Sequence, residues 1–248
     1  MTKCDTVLFD LGHTLMDFRS TRDDLLEVYD EARRRLLAGA KQDIPTLEDI
    51  VEIIPKKVVT IIDDSYRGPR AIEELEMSQV IAQAFESINV RLPEPLVQEM
   101  LLLEHEALSR SMTLSDGARD VLAQLKRWGF KLGLVSNATN LPHLLRRDLD
   151  RLGILVHFDA TVFSSELGLR KPHPTIYHAA LSGVASEPTT TIFIGDRIRE
   201  DIWGPQALGM RAVLTHEFRQ ESPNGSKPDT IISHVSELLD FIRRMSSI

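Results

Sequence analysis

The sequence is poor in cysteine, in long apolar runs and in positive charge. Cys4 is the only cysteine among 248 residues, so an intrachain disulfide is impossible and a reducing cytoplasm is the expected location. No apolar run reaches the ~18 residues of a membrane-spanning helix, and the N-terminus enters a strand pattern without a signal-peptide pattern. We therefore expect a cytoplasmic protein with no membrane partner.

The charge balance narrows the class of partner. Thirty-seven acidic residues outnumber 29 Lys and Arg residues, and the net charge is −8. Nucleic acids and anionic membranes favour basic surfaces, so we expect neither as a partner. A small anionic substrate is compatible with this balance, because its site needs only a few local cations. The oligomeric state stays open.

Residues 17–112 carry a helical pattern throughout. Apolar residues recur at helical spacing from Leu25 to Leu36 and again in later stretches, including one predicted over Ile72–Ile88. We expect Pro55 to interrupt the second helix, because proline lacks the N–H that a helix interior needs. The pattern predicts an all-helical insert.

The flanking segments, residues 1–16 and 113–248, show strands that alternate with helices. The predicted strands are an apolar run from Val7 to Asp10, Lys131–Ser136, Ala160–Phe163, Thr191–Gly195, Arg211–Leu214 and Thr230–Ile232. Such alternation is typical of an α/β fold with a doubly wound parallel sheet. Right-handed crossovers would place all the strand ends on one side.

Polar residues follow several of these strands or lie in the neighbouring loops. They are Asp10, Ser136, Asn137, Lys171, Asp196 and Asp201. Ligands of open α/β sheets bind outside the carboxyl ends of the strands, so these side chains are expected to converge. Several of them also have an ordinary explanation when taken alone: Asp10 could cap a turn, Ser136 and Asn137 could cap a helix, Lys171 could be a solvated loop residue, and Asp201 could complement a helix dipole.

Taken in order, these residues resemble the four signature motifs of the haloacid dehalogenase-like hydrolase superfamily. The motifs contain Asp10, Ser136, Lys171 within a KPxP pattern, and Asp196 with Asp201 within a GDxxxxD pattern. The resemblance covers both flanking segments and implies a Rossmann-like catalytic core, and the helical insert resembles a C1-type cap. It implies a Mg²⁺-dependent phosphatase that acts on a small phosphorylated metabolite through an aspartyl-phosphate.

Each residue of the four motifs has an expected chemical role. Asp10 is the expected nucleophile, since a carboxylate that attacks phosphorus divides one displacement into two easier steps. Mg²⁺ prefers hard oxygen ligands, which Asp10 and Asp196 would supply. The resemblance adds the backbone carbonyl of Gly12, and Asp201 would bind directly or through metal-bound water. The phosphoryl group would be bound by Ser136, Asn137 and Lys171.

Gly12 departs from the superfamily pattern. Most of its phosphatases have Asp here as general acid and base, a role worth roughly 10²–10⁴-fold in rate. His13, where Gly is usual, is the candidate replacement, since an unperturbed imidazole has a pKa of ~6.5; the alternative is a polar turn residue. Gly12 also favours two rival functions, a catalytically weak phosphate-binding or regulatory protein and a 2-haloacid dehalogenase. The intact GDxxxxD pattern makes the dehalogenase less favoured.

Substrate specificity is expected to come from the insert. Tyr66, Arg67 and Arg70 lie in a Gly-Pro loop, and two cations with an aromatic ring suit an anionic or sugar-like substrate. Arg19 and Arg22 are secondary candidates. The alternative for this loop is a solvated turn between helices.

Overall fold

The structure is a computed structural model that describes residues 4–18, 21–39, 44–223, 225 and 227–246. The chain divides into two compact units: Met1–Asp17 with Thr113–Ile248, here called the core unit, and Phe18–Met112, here called the helical unit. Within the described residues, no helix is both long enough and apolar enough to span a membrane.

A six-stranded parallel sheet forms the centre of the core unit. The strands of the chain are β1 Thr6–Phe9, β2 Met16–Phe18, β3 Met112–Leu114, β4 Lys131–Ser136, β5 Ala160–Phe163, β6 Thr191–Gly195, β7 Arg211–Thr215 and β8 Thr230–Ile232. The large sheet has the order β5-β4-β1-β6-β7-β8, and β2 pairs with β3 in a separate two-stranded sheet. Every neighbouring pair in the large sheet is parallel, which confirms the predicted doubly wound α/β fold.

The helical unit contains the first helices of the chain. They are α1 Arg22–Gly39, α2 Leu47–Ser65, α3 Met77–Glu86 and α4 Glu94–Ser111. The prediction that Pro55 interrupts the second helix is wrong, because α2 continues through it. Proline inside a helix costs about 3 kcal/mol. Ile50, Val51, Ile54 and Val58 of α2 are buried in the core of this unit, and burying each such side chain contributes about 1.5–3 kcal/mol, which offsets that cost.

Further helices lie in the core unit between the strands. They are α5 Ala118–Arg127, α6 Pro142–Arg151, α7 Ser164–Leu167, α8 Pro174–Gly183, α9 Gly204–Ala207 and α10 Leu238–Ser246. The predicted helix over Ile198–Leu208 starts instead as a π-type helix over Ile198–Trp203. Pro205 has no N–H to donate to residue 201, so one hydrogen bond of a regular α-helical ladder is missing at this point.

The sheet topology marks the end of β1 as the expected position of a ligand site. This strand lies between β4 and β6, and the order of the strands reverses there. Phe9, its last residue, is in register with Leu134 on one side and Ile194 on the other. The residues that follow these strands therefore share one edge of the sheet, which is where open α/β sheets bind ligands.

Candidate active site

Asp10 stands directly after β1, and its carboxylate is fixed by two hydrogen bonds. In addition, the Asp10 backbone N–H donates to the carbonyl of Ile194 over 2.9 Å. Lys171 Nζ lies 2.6 Å from Oδ1, and the Thr14 hydroxyl donates to Oδ2 over 3.1 Å. The sequence analysis missed Thr14, which is fully buried; the signal was a hydroxyl four residues after a strand-end carboxylate.

Lys171 is the central cation of the site. Its ammonium group lies 2.6 Å from Asp10 Oδ1 and 2.7 Å from Asp201 Oδ1, and 5.3 Å from the ring centre of Phe193. The side chain is only 2% exposed. Burial alone would lower its pKa, but the two carboxylates outweigh this effect and raise the pKa above its usual range. Lys171 is therefore a permanent positive charge.

The Asn137 amide holds the backbone of the Lys171 loop. Asn137 Nδ2 donates to the Lys171 carbonyl over 3.2 Å, and Asn137 Oδ1 accepts from the Lys171 N–H over 2.7 Å. Both ends of this amide therefore position Lys171, a role that sequence reasoning did not foresee. Ser136 is buried at the end of β4. The phosphoryl-binding roles of Ser136 and Asn137 stay predictions.

Asp196 and Asp201 come from the segment after β6, and both are buried. Asp201 Oδ2 accepts a hydrogen bond of 3.0 Å from the Arg197 N–H. This approach requires Gly195, because a Cβ there would lie 2.3 Å from Asp201 Cγ. Arg219 Nη1 lies 3.2 Å from Asp196 Oδ2, yet within the described part of the chain this oxygen accepts no hydrogen bond, so the pair is an ion pair only.

The three carboxylates form one buried acidic cluster. Asp10, Asp196 and Asp201 each place one oxygen within 4.8 Å of the others. Burial raises the pKa of Asp196 and of Asp201, the negative charge of Asp10 adds to the effect, and Lys171 opposes it. An all-oxygen donor set suits Mg²⁺. The buried Asp196 oxygen that accepts no hydrogen bond is a ligand atom such a cation would use, so the residues present fit the predicted metal.

Gly12 and His13 form a tight turn behind Asp10. Gly12 bridges to Met16, and the His13 N–H donates to the Met16 carbonyl over 2.6 Å. His13 has a φ of 59°, a left-handed conformation that costs side-chain-bearing residues about 1–2 kcal/mol. Glycine adopts it without that cost, which explains why glycine is usual at this position in the superfamily.

The environment of His13 determines its protonation. His13 Nδ1 lies 3.2 Å from Asp17 Oδ1. Burial lowers the pKa of His13 and the positive charge of Arg219 lowers it further, against the opposite effects of Asp17 and Asp10. The imidazole is therefore neutral near pH 7, which suits a proton acceptor better than a proton donor.

The substrate-binding candidates from the insert lie in the helical unit. Arg67 Nη1 is 2.8 Å from Asp64 Oδ1, and Arg70 Nη2 is 2.5 Å from Glu73 Oε2. Tyr66 follows α2 as its C-terminal cap, and Arg22 begins α1, whereas Arg19 lies outside the described residues. The substrate-binding role of Tyr66, Arg67 and Arg70 stays a prediction.

The parallel sheet and the buried acid–lysine cluster at its carboxyl edge define an α/β enzyme site. Residues 4–209 match the model of a family described as haloacid dehalogenase-like hydrolase. The chain belongs to this family of hydrolases, which confirms the resemblance drawn from the four motifs.

Curated relatives are similar over part of their length. The chain is 31% identical over 159 residues to a glyceraldehyde 3-phosphate phosphatase of Methanopyrus kandleri, with 62% of this chain and 67% of the relative covered. It is 32% identical to a phosphoserine phosphatase of Thermus thermophilus, with 52% and 51% covered. The chain thus spans about half to two thirds of the length of these relatives.

Solved structures share the fold over nearly the whole chain. A HAD phosphatase from Thermococcus onnurineus superposes with a TM-score of 0.65 at 21% identity, and 96% of this chain and 97% of that one are covered. A 2-haloacid dehalogenase from Pseudomonas syringae gives the same TM-score and identity, with 98% and 99% covered. At this identity the likeness describes the fold alone, and the chemistry depends on the residues of the site.

Proposed function

We propose that the protein is a Mg²⁺-dependent phosphatase that hydrolyses a small phosphorylated metabolite through an aspartyl-phosphate on Asp10. The observation that carries this proposal is the buried cluster in which Lys171 Nζ lies 2.6 Å from Asp10 and 2.7 Å from Asp201. The family and the names of the phosphatase relatives support the reaction class. The cytoplasmic location stays a prediction from the sequence.

In the first step, an oxygen of Asp10 attacks phosphorus, and the ester oxygen leaves with the bond electrons. Thr14 and Lys171 hold the Asp10 carboxylate in one orientation, which reduces the entropy cost of the attack. Lys171 also reduces the repulsion between the nucleophile and an anionic phosphoryl group. In the second step, water displaces Asp10 and releases inorganic phosphate.

Asp10 and Asp196, with the Gly12 carbonyl, would hold the metal ion, and Asp201 would join them directly or through water. When bound, Mg²⁺ would supply the positive charge that lets an anionic carboxylate and an anionic phosphoryl group approach each other. Three buried carboxylates without a divalent cation repel one another, which is consistent with the raised pKa of Asp196 and of Asp201.

Proton transfer is assigned to His13 in place of the carboxylate that Gly12 lacks. A neutral imidazole can accept a proton from the water of the second step, and Asp17, 3.2 Å from Nδ1, would orient the ring and stabilise its charged form. His13 is a weak proton donor at neutral pH. Substrates whose leaving groups need no protonation, such as aryl phosphates, should therefore react faster than sugar phosphates.

The nucleophile provides the main test. Asp10→Asn should reduce phosphate release by at least ~10³-fold, because removing a nucleophile removes the whole covalent route. The variant should remain folded, and circular dichroism with Mg²⁺ present is the control. The wild-type protein mixed with an aryl phosphate should show a burst of phosphoenzyme before slow turnover. A folded Asp10→Asn protein with full activity would exclude the mechanism.

Two rival functions give different results in the same assay. A 2-haloacid dehalogenase would release halide in EDTA, whereas the phosphatase should lose activity in EDTA and recover it with Mg²⁺. A phosphate-binding or regulatory protein, the rival that Gly12 favours, would show thermal shifts with ligands but no turnover. The helical unit is proposed as the cap that selects the substrate, and a panel of phosphorylated metabolites would identify that substrate.

A further inference from the structure

Arg219 is a cation of the site that belongs to none of the motifs recognised in the sequence. It lies between β7 and β8, and its Nη1 is 3.2 Å from Asp196 Oδ2. The arginine side chain is 34% exposed, whereas that of Asp196 is 3% exposed. Within the described residues Asp196 Oδ2 has no hydrogen-bond donor. Arg219 thus neutralises Asp196 by charge without being fixed to it.

The segment that carries Arg219 is anchored on both sides. Glu217 Oε2 accepts a 2.6 Å hydrogen bond from the Val235 N–H. Glu221 Oε2 accepts a 3.2 Å hydrogen bond from the N–H of Ile198, which begins the π-type helix that carries Asp201. These two hydrogen bonds hold the segment so that residue 219 lies beside the acidic cluster. The proximity of Arg219 to Asp196 therefore follows from how its segment is anchored.

The charges explain why a second cation stands here. Lys171 lies within 2.6 and 2.7 Å of Asp10 and Asp201, and Arg219 is the cation paired with Asp196. When all three carboxylates are ionised, they and these two cations give a formal charge of −1, which a divalent cation would change to +1. A cation on Asp196 Oδ2 would occupy the position that now faces the guanidinium, so the two interactions exclude or weaken each other.

We propose that Arg219 is the counterion of Asp196 in the metal-free enzyme and competes with the divalent cation for that carboxylate. This inference rests on the proposed Mg²⁺ site. Coupling between two interactions is reciprocal: if the cation weakens the Arg219–Asp196 pair by a given factor, Arg219 weakens cation binding by the same factor. Arg219 therefore sets the Mg²⁺ concentration at which the site fills.

The test measures Mg²⁺ binding by calorimetry on the full chain, in the absence of substrate and above about pH 8, where Asp196 is ionised and protons do not compete with the metal. Arg219→Gln should bind Mg²⁺ roughly 5-fold tighter or more, and Arg219→Ala should do the same. Arg219→Lys keeps the charge and should stay close to wild type. Arg211→Gln is the matched control, because Arg211 begins β7, the strand before the Arg219 segment, is 27% exposed and has Asp229 3.9 Å away. The Mg²⁺ affinity of this variant should be unchanged.

Thermal unfolding supplies a second readout. In EDTA above about pH 8, where Asp196 is ionised, Arg219→Gln should unfold at a lower temperature than wild type, because Asp196 has lost its counterion. In saturating Mg²⁺ this deficit should disappear, since the cation then neutralises Asp196. A residue with a merely structural role would lower the unfolding temperature equally in both conditions.

The outcomes separate this inference from the proposed function. Wild-type affinity, or weaker binding, in folded Arg219→Gln and Arg219→Ala proteins would overturn the role of Arg219 and leave the metal site intact. If the wild-type protein itself binds no Mg²⁺, the proposed metal site fails, and the competition fails with it.

Discussion

The acidic cluster of the core unit and the loop after α2 in the helical unit hold their charges in opposite ways. In the core unit, Lys171 is 2% exposed and bridges Asp10, which is 161 residues away in sequence, and Asp201, which is 30 residues away. In the helical unit, Arg67 and Arg70 are 78% and 81% exposed, and each pairs with an acid three residues away.

The difference teaches which charges the fold depends on. A buried charge that loses its partner is strongly destabilising, whereas an exposed pair of close neighbours contributes 0–1 kcal/mol. The cluster around Lys171 is therefore held by the sheet and in turn stabilises it, while the exposed pairs of Arg67 and Arg70 contribute little to stability.

The largest effect should come from removing the buried cation. Lys171→Met should lower the free energy of unfolding by about 3–5 kcal/mol in EDTA, because it leaves buried carboxylates without compensation. Urea unfolding measures this, and Mg²⁺ should recover part of the loss. A change below about 1 kcal/mol would mean that the cluster is no more important to stability than the surface pairs.

The next effect concerns the missing carboxylate of the core unit. Gly12→Asp should raise steady-state turnover up to ~10²-fold, and most for alkyl phosphates, because it restores a general acid and base. Gly12→Asn is the matched control, since it has a similar shape and cannot transfer the proton. If a folded Gly12→Asp protein that binds Mg²⁺ is no faster than Gly12→Asn, the missing carboxylate does not limit the rate, and the activity of His13→Ala then shows whether His13 or a substrate group transfers the proton.

The acidic cluster of the core unit should also make the stability depend on pH. Because the pKa of Asp196 and of Asp201 is raised in the folded state, their protonated forms favour folding at low pH, and this contribution is lost as the pH rises through the raised values. In EDTA the unfolding temperature should therefore fall between about pH 5 and pH 8. Mg²⁺ needs deprotonated ligands, so its stabilisation should grow over the same range.

The control for this pH dependence is Asp196→Asn, which removes one titrating group and should flatten the EDTA profile. A Mg²⁺-induced thermal shift that is independent of pH would show that the carboxylates of the cluster titrate normally in the folded protein.

The smallest effect on stability should come from the helical unit. Arg67→Gln and Arg70→Gln should each change the free energy of unfolding by less than about 0.5 kcal/mol. If these residues read the substrate, KM should rise while kcat and stability stay the same. Arg91→Gln, in the same unit and 88% exposed, is the control. Unchanged KM values would leave these arginines as surface residues.

Local pattern was sufficient for much of the fold. Four strands have the bounds that the sequence predicted: β4, β5, β6 and β8. Each is a short run of strand-forming residues bounded by turns, so its limits are set locally. Predictions failed where tertiary packing overrides local preference. Helix α2 continues through Pro55, and α3 is confined to Met77–Glu86 within the longer stretch predicted over Ile72–Ile88.

The sequence by itself determined the family and the order of the reacting groups, because Asp10, Lys171, Asp196 and Asp201 occupy motifs whose spacing is a local property of the chain. Only the tertiary structure decided the partners of these groups. Thr14 on Asp10, the Asn137 amide on the Lys171 backbone and Arg219 beside Asp196 all depend on how strand ends and loops meet at one edge of the sheet. Spacing along a chain does not encode such distances, since they result from the packing of segments far apart in sequence.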